Sequence, residues 1–142
     1  MANAERTNPL VAFRFRVEIE NLIEAGFAEC SGLQVETELE EVREGGENAF
    51  LYKLPKGSKH VNLTLKRGIT VSPVLWNWHQ DVVNGNVQRK MVYVVLVDSA
   101  GQETWRWCLQ DAFPVKWMGP ELKADSNTVA FESLELAHHG LT

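Results

Sequence analysis

Phe13 to Glu20 alternates apolar and charged residues without a fault: Phe13, Phe15, Val17 and Ile19 fall on one face, two arginines and two glutamates on the other. A period of two is the signature of a strand with one wet face and one covered face, and it constrains the chain because it recurs. Leu33, Val35, Thr37 and Leu39 alternate with Gln34, Glu36, Glu38 and Glu40, and Val61, Leu63 and Leu65 alternate with Asn62, Thr64 and Lys66. Thr104–Leu109 alternates again, with Trp105, Trp107 and Leu109 on one face. Met91–Val97 is apolar throughout and reads as a strand covered on both faces.

Shorter strands are expected at Phe27–Gly32, at Phe113–Met118, where Pro114 marks an edge or a bulge, and at Thr128–Ala137, where the apolar phase shifts between Phe131 and Leu134 as at a bulge. One helix is predicted after Ser72 as N-cap and Pro73 as first residue. It stops at Asn84-Gly85 and carries an apolar stripe of Leu75, Trp76, Trp78, Val82 and Val83. The expectation is a mainly β fold, an antiparallel barrel or sandwich of about seven strands with one packed helix. A chain of 142 residues makes this one domain, 1–142, with a polar, flexible terminus at 1–9.

The strand at 33–39 is expected to pair with the strand at 61–66, one face apolar and the other carrying Gln34, Glu36, Glu38, Asn62, Thr64 and Lys66. Between them lies a stretch too long for a tight turn, 41–59, and loops longer than about 12 residues in a compact domain are usually functional. It contains Arg43, Glu44, Gly45, Gly46 and Glu47, an aromatic patch at Phe50 and Tyr52, then Lys53, Pro55 and Lys59. It reads as an arm that joins one subunit to others.

Chemistry is sparse. His138 and His139 are adjacent and point to opposite faces of a strand, so they do not share a metal. His79 and Asp81 are wrongly spaced to meet on a helix, Cys30-Ser31-Gly32 lacks the glycine of a nucleophile elbow, and Gly45-Gly46 is not followed by the Lys-Ser/Thr of a phosphate loop. The Glu36, Glu38, Glu40 row reads as a solvated face, since alternate strand residues are about 6.6 Å apart. Five tryptophans at periodic positions read as core. No catalytic residue, metal or cofactor is expected. A net charge of −5 disfavours binding through nucleic-acid phosphates, and two unpatterned cysteines are expected to be free, buried thiols of a reducing cytoplasm. The first ten residues lack an apolar signal core, and no window approaches about 18 apolar residues, so no membrane anchor is expected.

A set of segments carries a resemblance: Asn8-Pro9 leading into Phe13–Ile19; Cys30-Ser31-Gly32-Leu33 before the acidic strand; Arg43–Asn48; Lys53-Leu54-Pro55-Lys56-Gly57; Leu65-Lys66-Arg67-Gly68; Leu75-Trp76-Asn77-Trp78; and Gly119-Pro120 with Glu135–Leu141. In this order they resemble the tail tube (inner tube) proteins of contractile phage tails and phage-like contractile injection systems, distantly similar in fold to the haemolysin-coregulated tube protein of type VI secretion. His139 stands where that pattern has an acidic residue.

The resemblance implies a structural subunit that forms hexameric rings, whose hairpins join into one barrel around a channel and whose rings stack into a hollow tube inside a contractile sheath. It implies further partners in baseplate and tube-terminator proteins, protein or DNA cargo in the lumen, and synthesis in the bacterial cytoplasm. Gln34, Glu36, Glu38, Asn62, Thr64 and Lys66 would then line the channel, and 41–59 would be the contact between subunits and rings. A tube-initiating ring protein at the baseplate is the nearest alternative. A stand-alone small-ligand β-barrel lined by Trp105 and Trp107 is a further one.

Overall fold

The computed structural model describes residues 14–22, 26–42, 52–125 and 127–142. Its strands are β1 (Phe15–Ile19), β2 (Phe27–Ser31), β3 (Val35–Val42), β4 (Tyr52–His60), β5 (Leu63–Gly68), β6 (Lys90–Val97), β7 (Glu103–Met118), β8 (Phe131–Ala137) and β9 (Gly140–Leu141), with one helix, α1 (Val74–Val83), between β5 and β6. Seven strands form one sheet in the order β1-β6-β7-β8-β5-β2 with β9 also on β7, and β3 and β4 form a sheet of their own. All pairings are antiparallel. Among the described residues β1 and β2 do not pair, so the sheet is open.

β7 joins two layers. Its first part, through Ala112, pairs with β6 and its last part, from Phe113, with β8; Asp111, at φ 52, lies just before the changeover. The inward residues of both layers meet in one core: Val17 and Ile19, Val92 and Val94, and Leu109 from one side, Leu63, Leu65, Leu134 and Leu136 from the other. Each fully buried Leu or Val contributes roughly 1.5–3 kcal/mol. The strand predicted separately at Phe113–Met118 is the continuation of β7, and Pro114 sits at a register shift there, as a residue without an amide donor should.

The helix ends as its sequence predicts. Gly85 is left-handed at φ +87, its amide bonds Val82 O at 3.0 Å and the Asn86 amide bonds Asp81 O at 2.8 Å, the paired closure of a Schellman motif. Its start differs: Pro73, not Ser72, occupies the cap position, with no side-chain cap bond. The apolar stripe is narrower than expected. Leu75 and Trp78 are buried while Trp76 and Val83 are exposed, and Trp76 instead meets Trp117 edge-on with ring centroids 4.7 Å apart.

The phase shift expected to be a bulge in the last long strand is not one. β8 pairs with β5 without a break, and the residue that spoiled the pattern, Glu132, points inward. It is 3% exposed and forms an ion pair with Arg67, 2% exposed, while Trp117 Nε1 donates to its second oxygen at 3.3 Å. Arg67 also donates to Ser72 O and lies over the Phe27 ring, so its charge is enclosed by partners on three sides. Both cysteines are free, and both are half-buried rather than buried; burial pushes the Cys30 thiol up to about 11.

The largest correction concerns the hairpin. The strand at 33–39 does not pair with 61–66. β2 pairs with β5 (Ser31 opposite Thr64, Cys30 opposite Leu65) and β3 with β4 (Val35 opposite His60, Glu36 opposite Lys59), so that the partners' numbers keep one sum across the joint. The two pairs are therefore the root and the tip of one long hairpin. Tyr52–Lys59, expected as loop, is strand β4. Pro55 and Gly57 hid it, because both are strand breakers in isolation, yet here they flank the one register shift, with Lys56 as the extra residue.

The joint depends on Gly32. Its φ is +99, and a Cβ there would lie 2.1 Å from Asn62 O across the hairpin. No side chain fits. Gly32→Ala is expected to cost about 2–3 kcal/mol through positive φ and forced separation of the strands, read as a lowered urea midpoint; an unchanged midpoint contradicts this account of the joint.

Candidate assembly hairpin

The root of the hairpin is anchored and its tip is not. Leu63 and Leu65 of β5 are in the core, and the joint is tied to the last strands: His138 Nε2 lies 3.1 Å from Val61 O, the His60 and His138 rings are 5.4 Å apart, and Asn62 Nδ2 donates to Glu135 Oε2 at 3.4 Å. Desolvation holds the His138 pKa below the usual imidazole range, so the ring packs here in its neutral form. Beyond this joint every residue of β3 is exposed, and so is every residue of β4 except His60.

A two-stranded sheet alone in water is at best marginally stable. Yet this one displays apolar side chains, Val35, Leu39, Val42, Tyr52 and Leu54, that a solvated hairpin does not need. Its two faces follow from the register: Val35, Thr37, Leu39 and Glu41 share one with His60, Ser58, Pro55 and Lys53, while Glu36, Glu38, Glu40 and Val42 share the other with Lys59, Gly57, Leu54 and Tyr52. Among the described residues neither long edge pairs with a further strand, the geometry that recruits another strand.

The residues singled out from the sequence divide accordingly. Tyr52, Lys53, Pro55 and Lys59 lie on β4, and Glu36 and Glu38 on β3. Gln34 and Asn62 lie at the joint, and Thr64 and Lys66 belong to β5 in the main sheet, with the Lys66 ammonium 5.2 Å from the Phe131 ring centroid. Arg43, Glu44, Gly45, Gly46, Glu47 and Phe50 lie outside the described residues, as do residues 1–9.

Elsewhere the exposed face of β1, β6 and β7 carries a charge network. Arg106 bonds Glu103 and Glu18, and Arg16 bonds Glu18. The Glu103 pKa is lowered chiefly by its bond to Arg106; at Glu18 a desolvation penalty is outweighed by bonds to Arg16 and Arg106. Such solvated pairs are worth little in stability. Trp105, considered as a pocket wall, is 54% exposed. Among the described residues no group of three or more His, Cys, Asp or Glu is placed to hold a metal ion, and no helix is long and apolar enough to cross a membrane.

Residues 11–142 match the family described as T4-like virus tail tube protein gp19. Among solved structures, a chain of the anti-feeding prophage baseplate, 6-fold symmetrised, is 29% identical with a TM-score of 0.83, over 96% of each chain. A chain of the sheath-tube complex of the extracellular contractile injection system PVC, in the extended state, is 27% identical with a TM-score of 0.85, over 94% of this chain and 90% of that one. Hcp1 from Flavobacterium johnsoniae, at 12% identity and a TM-score of 0.58 over 90% of this chain and 92% of that one, shares the fold. No curated protein matches the sequence.

Proposed function

This chain belongs to the T4-like virus tail tube protein family and is a structural subunit of an inner tube, and we propose that six copies close into a ring through their hairpins and that the rings stack into a hollow conduit. The observation that carries this is the tip of the hairpin, an exposed two-stranded sheet that displays apolar side chains and pairs with no other described strand. Closing such edges around a ring removes them from solvent and from aggregation. Ring closure is cyclic while stacking is head-to-tail and open, so the product is a filament.

In this reading Gln34, Glu36, Glu38, Asn62, Thr64 and Lys66 face the channel, where acidic charge keeps protein or DNA cargo from adhering. The arm residues Arg43–Glu47, Phe50, Tyr52, Lys53, Pro55 and Lys59 contact neighbouring subunits and rings. A contractile sheath surrounds the tube, and a baseplate and a tube terminator bound it. The subunit acts by association and not by catalysis; it is made in the bacterial cytoplasm and becomes part of an assembled phage tail or contractile injection particle. Negative-stain electron microscopy of the purified chain tests this: long hollow tubes with six-fold end views are expected, and rings that never stack, or monomers alone, overturn it.

A further inference from the structure

The hairpin passes from root to tip where one strand has no side chain to hold it. Gly32 stands on that strand, and Val61 and Asn62 separate β4 from β5 on the other. The end of β8 ties this joint to the body: Asn62 bonds Glu135, and the His138 ring reaches Val61 O and lies 5.4 Å from the His60 ring at a tilt of 54°. A carbonyl only accepts, so His138 Nε2 carries the proton and Nδ1 is the basic nitrogen. The Nδ1 atoms of both rings are buried, and neither has a hydrogen-bond partner among the described residues. A further proton on His138 therefore enters a poorly solvated position and faces a second imidazole. Resting on the inner-tube reading, we propose that His60 and His138 form an acid-sensitive latch: the neutral pair holds the tip in the attitude that assembly requires, and protonation releases it, so that tubes form at neutral pH and come apart in mild acid.

The groups around the pair do not offset the added charge. On β8, Glu135 is engaged by Asn62. His139 has Asp111 Oδ2 3.5 Å from its Nδ1 and Arg89 Nη1 3.3 Å from its Nε2, and on the hairpin Lys59, next to His60, stands opposite Glu36. No carboxylate among the described residues is ion-paired with either ring of the pair. Burial is the largest influence on the His138 pKa and lowers it; His60 and His139 lower it further, and the backbone at Val61 and Gly140 offsets only part of this. A base whose pKa is depressed by folding stabilises the fold fully above its unfolded value, about 6.5, and loses that contribution as the pH falls from there toward the folded value. Carboxylates titrate mostly below this window, so the loss belongs to imidazoles.

The test compares the original chain with His138→Gln, whose amide still donates to Val61 O but does not titrate. Sedimented tubes are measured at about pH 7.5 and about pH 5.5, on either side of the ordinary imidazole value. The original chain is expected to lose its tubes at least about tenfold at the lower pH, and H138Q less than about twofold. Tubes of the original chain that persist undiminished in acid overturn the proposal, and so does an equal loss in H138Q. A second readout needs no assembly: the urea midpoint of the dilute, unassembled chain is expected to fall between the same two pH values, and that of H138Q by less than half as much. If H138Q does not fold, His60→Gln takes its place, because it removes the imidazole that a charged His138 faces; a fall as large as that of the original chain overturns the proposal. A chain that forms no tubes at either pH overturns the inner-tube reading instead. The urea midpoints then decide the latch alone, a halved fall supporting it and an equal one overturning it.

Discussion

A chain in which residues 36–59 are replaced by a short Gly-Asn-Gly turn is expected to remain a folded monomer and to form no tubes. Val35 and His60 are cross-strand partners, so a tight turn bridges them without moving the root of the hairpin. None of the described residues removed belongs to the core, whose hydrophobic residues come from β1, β5, α1, β6, β7 and β8. The thermal midpoint should therefore stay within about 3 °C of the original, while sedimentation and electron microscopy show complete loss of assembled material. Tubes formed by the shortened chain would show that the tip is dispensable and that other surfaces close the ring. A collapse of the midpoint would show instead that the tip stabilises the subunit itself, against its exposure in the structure.

How much of this was legible beforehand depends on what each residue answers to. The alternation of β1, β5 and the first part of β7 and the Asn84-Gly85 helix stop follow from local chemistry and stand where the sequence places them, while β6, expected to be covered on both faces, is buried on one and half-buried on the other, where Arg106 lies over Tyr93. The register of the hairpin does not. It is set by Gly32, whose missing Cβ admits the Asn62 carbonyl, and by the extra residue at Lys56, neither of which has a local signature. Pro55 and Gly57 read as loop because propensity describes an isolated strand, whereas β4 is held by its partner. Of the stretch expected as an arm, the described residues, 41–42 and 52–59, are strand. The acidic row of β3 was visible from the start; that Glu36 and Glu41 stand opposite Lys59 and Lys53 became legible only with the register.

Glu132 shows the same limit from inside the core. In sequence it is an apolar strand losing its phase; in the structure it is the inward member of a strict alternation, Glu132, Leu134, Leu136. A charged residue on an inward phase requires a buried partner, and Arg67, at the end of β5, supplies it. Glu132→Ala removes the carboxylate and leaves the Arg67 guanidinium buried with its main counter-charge gone, and Trp117 Nε1 without its acceptor. The expected loss is about 3–5 kcal/mol, or a fall in thermal midpoint of about 10 °C or more for a domain of this size. Glu132→Gln keeps an acceptor for Trp117 but not the charge, and should fall between. The double substitution Arg67→Met with Glu132→Leu removes both charges and keeps volume, so it should recover to within about 1 kcal/mol of the original chain. Chemical denaturation of the four proteins decides. If Glu132→Ala costs under about 1 kcal/mol, the pair is more hydrated than its burial indicates. If the double substitution is as damaging as the single one, the enclosing bonds to Ser72 and Trp117, and not the cancellation of charge, are what the core requires.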